Sequence, residues 1–213
     1  MAADPYLYPG TDVLRNTAGI RDFDSLAAYE YEMVASRAAE ALRFAERSRH
    51  LGEKALQSIH RILFCDVYEW AGELRSIYLS KESSQFTDPD RLPGAINANV
   101  MPAFRKALGD GTQSARVTSA FAQCWGSLNR LHPFREGNGR AIQLFLMALA
   151  RRHGRDIEWR KVSYEDEIAA AQALMTGDVR GYETLLAVAL TSTGAAASSG
   201  QYWPAKPWAT DED

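Results

Sequence analysis

His132-Pro-Phe-Arg-Glu-Gly-Asn-Gly-Arg140 is a stretch, here called the motif loop, that combines an imidazole, a carboxylate, two glycines around an amide, and an arginine. The apolar run 141–149 that follows it predicts a helix beginning near Asn138. Glycines let backbone N–H groups approach an anion closely, and a helix N-terminus presents unpaired N–H groups that attract phosphate. The stretch therefore predicts a phosphate-binding loop at the start of a helix.

Three side chains of the motif loop suit the same ligand. Arg140 carries a planar fork of donors for phosphate oxygens, and Glu136 is the kind of oxygen ligand that holds Mg²⁺ together with phosphates. His132 can exchange a proton near neutral pH. We expect Phe134 to anchor the loop in the core and Arg135 to be solvated. A purely structural loop would explain the proline and the glycines, but not Glu136 and Arg140 together.

The motif loop resembles the Fic motif, His-x-Phe-x-(Asp/Glu)-Gly-Asn-Gly-Arg-x-x-Arg, and matches it at every fixed position through Arg140. Residues 63–75 are similar to the segment that leads into the active-site hairpin of Fic proteins, called the flap. The N-terminal residues 4–10 resemble the start of small bacterial Fic toxins. The resemblance extends over roughly residues 4–190.

This resemblance implies adenylylation, the transfer of AMP from ATP to a Ser, Thr or Tyr hydroxyl of a target protein. It implies that His132 is the general base and that Glu136 holds Mg²⁺. It also implies a flap that docks the target, for which Ile77 and Phe86 are the candidates; the alternative is that both are core residues beneath the hairpin. The residues implied to bind the nucleotide are Gly137, Asn138, Gly139, Arg140 and Gln143.

Position 143 departs from the family motif. Gln143 stands where the family's second arginine engages the γ-phosphate, and it shares a helix face with Arg140 because the two are three residues apart. Glutamine keeps an N–H donor but loses the charge, and a hydrogen bond to a charged group contributes about 1.5–3 kcal/mol. We expect an altered site that still transfers AMP. The alternative is a catalytically weakened domain that binds a nucleotide or a partner.

Many Fic proteins inhibit themselves through the sequence (Ser/Thr)-x-x-x-Glu-(Gly/Asn). Ser163-Tyr-Glu-Asp-Glu167 has this spacing, but Ile168 follows it, so a chance match is the simpler interpretation. The resemblance then implies a toxin held in check by a separate small antitoxin. For such toxins it implies targets such as the ATPase subunits of type II topoisomerases.

Composition limits the classes of protein to consider. The chain has 213 residues, of which 46% are hydrophobic, enough for one domain with a core. A net charge of −3 argues against direct nucleic-acid binding. We see no signal peptide and no membrane-spanning run, and therefore expect a cytoplasmic protein with no membrane partner. Cys65 and Cys124 are predicted to be buried thiols, and His60 to be a helix residue with satisfied hydrogen bonds.

Apolar periodicity predicts a mostly α fold, a single Fic-like helical domain with a short β-hairpin flap over the active site. The hairpin is expected to pair residues 75–80 with 85–87. We expect an N-terminal arm at 1–20, the domain at 21–191 and a flexible C-terminal tail at 192–213. The predicted helices cover about 25–47, 53–70, 91–108 with a kink or a break at Pro102, 114–131, 138–152, 163–175 and 178–191.

Overall fold

The computed structural model describes residues 4–81, 84–110 and 113–192. Within these residues the fold is mostly α, as predicted, with a small antiparallel hairpin. The predicted tail beyond residue 192 lies outside the described residues, so the division into arm, domain and tail stays a prediction. The α-helices are α1 Phe23–Arg47, α2 Glu53–Phe64, α3 Met101–Leu108, α4 Ser114–Leu131, α5 Asn138–Arg152, α6 Tyr164–Met175 and α7 Arg180–Ala189.

Helix α5 is the centre of the fold. Every residue from Ala141 to Ala150 is buried, and the helix packs against α1, α2 and α4. A helix that is buried on all sides must be enclosed by other elements. The first turn of α5 is therefore held in position from several directions, and the motif loop enters it.

Helix α1 supplies one wall of the core and begins where its sequence provides a cap. The Asp22 side chain accepts a hydrogen bond from the Ser25 backbone N–H at 2.8 Å, so Asp22 is the N-cap and the helix begins at Phe23, two residues before the predicted start. The buried face repeats at Leu26, Glu30 and Val34 and continues to Leu42. Glu30 is thus an acidic residue on the apolar face, which makes it a candidate for a specific role.

Helix α2 ends at Phe64, so the predicted extension to Trp70 is wrong. The apolar pattern continues because Val67 and Tyr68 are buried, but the chain reaches them through tight turns. The Val67 and Tyr68 N–H groups both donate to the Phe64 carbonyl, at 2.9 and 2.8 Å. Cys65, at the end of α2, is exposed rather than buried, whereas Cys124 is buried as predicted.

The third predicted helix, 91–108, is not continuous. A single turn at Pro89–Arg91 is followed by Gly94 with φ +78°, then by a π-helical turn Ile96–Val100, and α3 begins only at Met101. The change from π to α geometry lies between Val100 and Met101, and α3 continues through Pro102, so the irregularity precedes the proline rather than falling at it. Proline has no N–H to donate and is tolerated in a first helical turn, so α3 starts beside it.

Two small antiparallel sheets are present in the described ranges. Strands β1 Ser80–Lys81 and β2 Ser84–Gln85 pair Ser80 with Gln85, so the hairpin exists but is shorter than predicted. Strands β3 Arg155–Ile157 and β4 Leu190–Ser192 form a pair that the sequence did not reveal, because three-residue strands show no periodicity. Helix α7 consequently stops at Ala189. We call residues 77–81 and 84–87 the flap.

The N-terminal segment is docked on the body of the protein. Leu7 pairs with Leu14 in an isolated antiparallel bridge, and Val13 is buried. Asp4 forms an ion pair with Arg135 at 3.0 Å, so Arg135 is a docking residue rather than the solvated side chain that we expected. No helix in the described ranges is both long and apolar enough to cross a membrane.

Candidate active site

A cavity of about 590 Å³ lies between the motif loop, the flap, α1 and α6. This volume falls within the range of ligand pockets, about 300–1,000 Å³. The flap contributes Phe86, whereas Ile77 does not line the cavity. All other residues that the sequence assigned to the site do line it: His132, Glu136, Gly137, Asn138, Gly139, Arg140 and Gln143.

His132 is the point where α4 turns into the motif loop. Its backbone adopts the left-handed conformation, with φ 46° and ψ 61°, and it has the only positive φ among the described residues other than glycine. An uncommon conformation at such a residue costs free energy and is often found at functional sites. The imidazole stacks on Phe86 of the flap, with ring centroids 4.0 Å apart. The flap therefore fixes one face of the predicted general base.

Arg75 is buried and ties the flap to His132. Its Nε donates to the His132 carbonyl at 2.8 Å, and its Nη1 donates to the Ile77 carbonyl at 2.6 Å. Its Nη2 donates to the carbonyls of Thr87 and Leu131. One guanidinium thus joins both ends of the flap to the end of α4. Burial lowers the pKa of Arg75 from its usual range.

The Asn138 side chain closes the motif loop on itself. Its Oδ1 accepts from the Phe134 N–H at 2.9 Å, and its Nδ2 donates to the Phe134 carbonyl at 2.8 Å. Both amide groups are therefore used inside the loop, and the group of Asn138 that suits an anion is its backbone N–H. Phe134 is fully buried, which confirms its predicted role as an anchor.

His60 of α2 holds the motif loop in position through a hydrogen bond to its backbone. Sequence reasoning did not assign this positioning role to His60. Its Nδ1 accepts from the Gly72 N–H at 2.8 Å, so Nε2 carries the proton and donates to the Glu136 carbonyl at 2.9 Å. The ring also stacks on Phe134, with centroids 3.9 Å apart. Burial lowers the pKa of His60 to about 3, which keeps the ring neutral. This confirms the prediction that His60 is a helix residue with satisfied hydrogen bonds.

The two glycines of the loop are needed for different reasons. Gly137 has φ +77°, and a Cβ there would lie 2.2 Å from the Phe64 ring. Gly139 is different, because a Cβ there would meet no atom of the protein within 4 Å. The space next to Gly139 belongs to the cavity, so its open backbone gives a ligand access to the first turn of α5.

Arg140 is held by an acid from another helix. Its Nη2 pairs with Glu30 Oε1 at 2.5 Å, and it lies 3.6 Å from Glu136 Oε1. The Tyr68 hydroxyl donates to the other Glu30 oxygen, and burial raises the pKa of Tyr68, so this donor stays protonated. The guanidinium also lies over the Phe64 ring, 4.8 Å from its centroid. These contacts orient Arg140 before any ligand arrives.

Glu136 is the acidic residue of the motif loop, and 45% of its side chain is exposed. Its Oε1 accepts from the Gly137 N–H at 2.8 Å. Among the described residues there is no cluster of three or more His, Cys, Asp or Glu side chains that could hold a metal ion. A cation held by Glu136 would therefore take its remaining ligands from phosphate oxygens and water, which is how Mg²⁺ commonly binds.

Gln143 is buried in α5 and contacts α6. Its Nε2 donates to Glu167 Oε2 at 3.1 Å, and both residues line the cavity. The sequence interpretation gave Glu167 no role, because Ile168 breaks the family's inhibitory sequence. Ser163 caps the start of α6, since its Oγ accepts a hydrogen bond from the Asp166 N–H at 3.1 Å. Helix α6 thereby brings Glu167 to the inner wall of the cavity.

Sequence reasoning gave no role in the site to Arg75, Glu30, His60 and Glu167, although two of them carried a local signal. Glu30 occupies a position in the apolar repeat of α1, where an unpaired carboxylate would cost free energy. Glu167 has the spacing from Ser163 of the family's inhibitory sequence, which was interpreted as a chance match. Arg75 and His60 are ordinary polar residues in sequence, and their partners come from distant segments.

Comparison with known proteins agrees with this geometry. The profile of the Fic/DOC family matches residues 50–150. The probable protein adenylyltransferase Fic of Escherichia coli K12 is 31% identical over 191 residues, which are 90% of this chain and 94% of that protein. This chain belongs to the Fic/DOC family. The probable protein adenylyltransferase y4lH of Sinorhizobium fredii is 36% identical over 180 residues, covering 83% of this chain and 90% of y4lH.

Solved structures of Fic proteins share the fold. BepC of Bartonella tribocorum, solved with bound AMPPNP, superimposes with a TM-score of 0.74 and 22% identity, covering 88% of this chain and 96% of BepC. The type IV secretion system effector protein BepA gives a TM-score of 0.75 with 27% identity, covering 87% of this chain and 68% of BepA. The prediction of a Fic-like helical domain is thus confirmed.

Proposed function

We propose that this protein transfers AMP from ATP to a hydroxyl side chain of a target protein, and that it does so as a toxin restrained by an antitoxin. Its curated relatives in the Fic/DOC family carry the name protein adenylyltransferase, and this chain is an enzyme of that class. One observation carries the proposal in the structure. A single cavity joins His132, which can accept a proton, to the open first turn of α5 and to Arg140, which can hold phosphate.

The proposed chemistry needs a base at the attacking oxygen. His132 takes the proton of the target hydroxyl, the oxygen forms a bond to the α-phosphorus, and the bond from that phosphorus to pyrophosphate breaks. A hydroxyl is a weak nucleophile until a base removes its proton, and such proton transfer contributes about 10²–10⁴-fold to the rate. The stacking of His132 on Phe86 holds the ring in one orientation for this step.

The nucleotide phosphates are proposed to lie against the N-terminus of α5. The backbone N–H groups of Asn138 and Gly139 supply donors there, and the Gly137 N–H joins them when it releases Glu136 Oε1. Arg140 supplies charge that Glu30 keeps in place. Glu136 fits a Mg²⁺ ion, because its carboxylate is partly exposed at the cavity and is a hard oxygen donor. When bound, Mg²⁺ supplies positive charge that neutralises the phosphates.

The flap is proposed to dock the target. Leu79 and Phe86 of the flap line the cavity, and Tyr78 between Ile77 and Leu79 is 70% exposed. A short hairpin with an open edge can pair with an extended segment of another protein and set its register. A hydroxyl side chain on that segment then reaches His132 without a demanding sequence requirement.

The identity of the partners is part of the proposal. The family resemblance suggests a separate small antitoxin and, as targets, the ATPase subunits of type II topoisomerases. We propose the cytoplasm as the location of the reaction, because ATP, the proposed donor, is abundant there. A purified topoisomerase subunit that stays unlabelled while another protein in lysate is labelled would overturn this choice of target and leave the chemistry in place.

The test is transfer of radiolabel from α-labelled ATP with Mg²⁺ to proteins of a bacterial lysate. We expect a labelled band with the native chain. We expect no band with His132→Ala, which should still bind ATP because the base acts on the hydroxyl and not on the nucleotide. Glu136→Gln should weaken binding of ATP in the presence of Mg²⁺ while the fold stays intact. Labelling that survives His132→Ala would contradict the proposed base.

A domain that binds nucleotide or a partner without transferring AMP is the second candidate. The observation that favours it is Gln143, which is neutral and contacts an acid at the position of the family's second arginine. ATP binding without any labelling of lysate proteins would select this candidate.

A further inference from the structure

Gln143 and Glu167 form a contact in the wall of the cavity that the proposed chemistry does not use. Gln143 is 4% exposed, and its Nε2 lies 3.1 Å from Glu167 Oε2. Within the described part of the chain, the amide oxygen of Gln143 has no hydrogen-bond partner. Gln143 also lines the cavity, and its amide oxygen is buried, so only a ligand that reaches this wall could meet the half of the amide that Glu167 does not use.

The surroundings of Glu167 favour its neutral form. Burial raises the pKa of Glu167 to about 7, against the lowering effect of the hydrogen bond from Gln143. Tyr182 of α7 interacts electrostatically with Glu167. The pKa of Tyr182 is raised by burial and, to a smaller extent, by the charge of Glu167. From α4, Arg130 donates to the Leu174 carbonyl of α6. The titratable and charged groups that share the cavity are Tyr31, His132, Arg135, Glu136, Arg140 and Tyr164.

The protonation of Glu167 decides which half of the amide remains for a ligand. An ionised carboxylate only accepts, so it takes the Gln143 N–H₂ group and leaves the amide oxygen. A protonated carboxyl donates its O–H to the amide oxygen and leaves the N–H₂ group, after the amide has rotated by half a turn. The two ends of an amide have nearly the same shape, so this rotation requires no repacking.

These two states suit opposite ligands. Phosphate oxygens are acceptors and carry negative charge, so they fit the N–H₂ group beside a neutral acid. They are repelled by an amide oxygen beside a carboxylate. Position 143 lies one helical turn beyond Arg140 on the same face of α5, which places it next to the phosphate-binding end of the cavity.

We propose that Glu167 and Gln143 together make nucleotide binding proton-dependent: with Glu167 protonated, Gln143 presents N–H donors to the terminal phosphate, and with Glu167 ionised it presents an acceptor. The inference rests on the proposed function in that the cavity must bind a nucleoside triphosphate. Glu167 is thus a specificity-determining residue of the phosphate end. By linkage, bound ATP retains a proton on Glu167 that the free protein loses as the pH rises.

The sign and size of the effect follow from that linkage. The affinity for ATP is highest where Glu167 is already protonated, below pH 7. Above that pH it falls by about tenfold per pH unit as long as bound ATP keeps the proton. The terminal phosphate of ATP also titrates in this pH range. The informative quantity is therefore the difference in ATP affinity between the native chain and each variant at the same pH, because the phosphate contributes equally to both.

The experiment is calorimetric titration of ATP into the full chain from pH 6 to pH 8.5, in two buffers of different ionisation enthalpy. For the native chain we expect up to one more proton taken up above pH 7 than for Glu167→Gln, and an affinity ratio between them that changes about tenfold from pH 7.5 to 8.5. Glu165→Gln, which removes the same charge from an exposed site on α6, should behave like the native chain. Adenosine, which has no phosphate, should bind equally at each pH.

A second variant keeps the inference testable if Glu167→Gln fails to fold. Gln143→Met preserves the length of the side chain and removes the amide, so the extra proton uptake should decrease although Glu167 remains, because only the direct repulsion between its carboxylate and the phosphates is left. Proton uptake by Gln143→Met equal to that of the native chain would overturn the inference, as would identical pH profiles for the native chain and Glu167→Gln. Both results leave the proposed function standing. A chain that binds no ATP at any pH would overturn both.

Discussion

The motif loop and the flap face each other across one cavity, yet they are held in different ways. In the motif loop, Asn138 and Phe134 exchange two hydrogen bonds, and the neutral His60 supports the Glu136 carbonyl from a buried position. The flap has two paired residues in each strand, and Tyr78 on it is 70% exposed. The side proposed to bind nucleotide is therefore pre-organised, and the side proposed to bind the target is open to a partner.

Arg75 joins these two regions, and its loss should have the largest effect on stability. Arg75→Met keeps much of the buried volume but leaves four backbone carbonyls without their donor. We expect the free energy of unfolding to fall by about 4 kcal/mol, measured by urea denaturation. Arg91→Met, at an exposed site, should change it by less than about 0.5 kcal/mol. A loss below 1 kcal/mol for Arg75→Met would mean that the flap is held by other contacts.

The two loop glycines provide a matched pair that separates folding from binding. Gly137→Ala forces a Cβ into the Phe64 ring at positive φ, so we expect a loss of about 3 kcal/mol in unfolding free energy. Gly139→Ala meets no protein atom and should keep or gain stability, since alanine favours a helix by about 1 kcal/mol. It should nevertheless weaken ATP binding in a calorimetric titration. Normal ATP affinity in Gly139→Ala would show that phosphates do not approach this turn.

His60 makes the motif loop sensitive to acid. The folded state holds this ring neutral with a pKa of about 3 against an ordinary 6.5, so the unfolded state binds more protons and stability falls as the pH drops from 6.5 towards 3. The loss attributable to His60 is about 2 kcal/mol at pH 5. His60→Gln should be less stable than the native chain at pH 7, and the gap should narrow by that amount at pH 5. A constant gap between the two urea midpoints would exclude this role.

Phe86 tests the contact between the flap and the motif loop, with a smaller expected effect than the three preceding changes. Phe86→Leu keeps apolar bulk but removes the stacking on His132, which is worth about 0.5–1.5 kcal/mol for an aromatic pair. We expect transfer of AMP to fall about three- to tenfold, while ATP affinity changes less than twofold. Val188→Ser, at an exposed site on α7, serves as the control. An equal loss of ATP affinity in Phe86→Leu would show that the flap also orders the nucleotide.

A fifth prediction concerns position 143, at the side of the cavity proposed to bind nucleotide. Gln143→Arg restores the residue of the family motif, but the new guanidinium would lie beside Glu167 and pair with it. We therefore expect little gain in ATP affinity from the single variant above pH 7. The double variant Gln143→Arg with Glu167→Gln frees the charge for the γ-phosphate and should tighten ATP more than ADP. Equal tightening of ATP and ADP would show that position 143 does not face the γ-phosphate.

Local patterns predicted the fold where structure is also local. The bounds of α4 were predicted correctly and those of α5 and α6 within about one residue. Helix periodicity and caps depend on residues that are neighbours in sequence, so these bounds can be predicted locally. Helix α2 was overextended, because Val67 and Tyr68 are buried through turns and an apolar repeat does not distinguish a turn from a helix. Strands β3 and β4 are too short to leave any pattern and form only because the chain returns to pair with itself.

The sequence alone determined the chemistry of the motif loop, since the imidazole, carboxylate, glycines and arginine are adjacent and their spacing places them at one helix N-terminus. Tertiary structure decided what surrounds each of them. Glu30 reaches Arg140 across 110 residues of chain, His60 reaches Glu136 across 76, and Glu167 reaches Gln143 across 24. The physical reason is the distance along the chain over which each kind of interaction acts. Caps, turns and helical faces are set by residues a few positions apart, whereas burial, ring stacking and the pairing of a buried acid depend on which helices pack together.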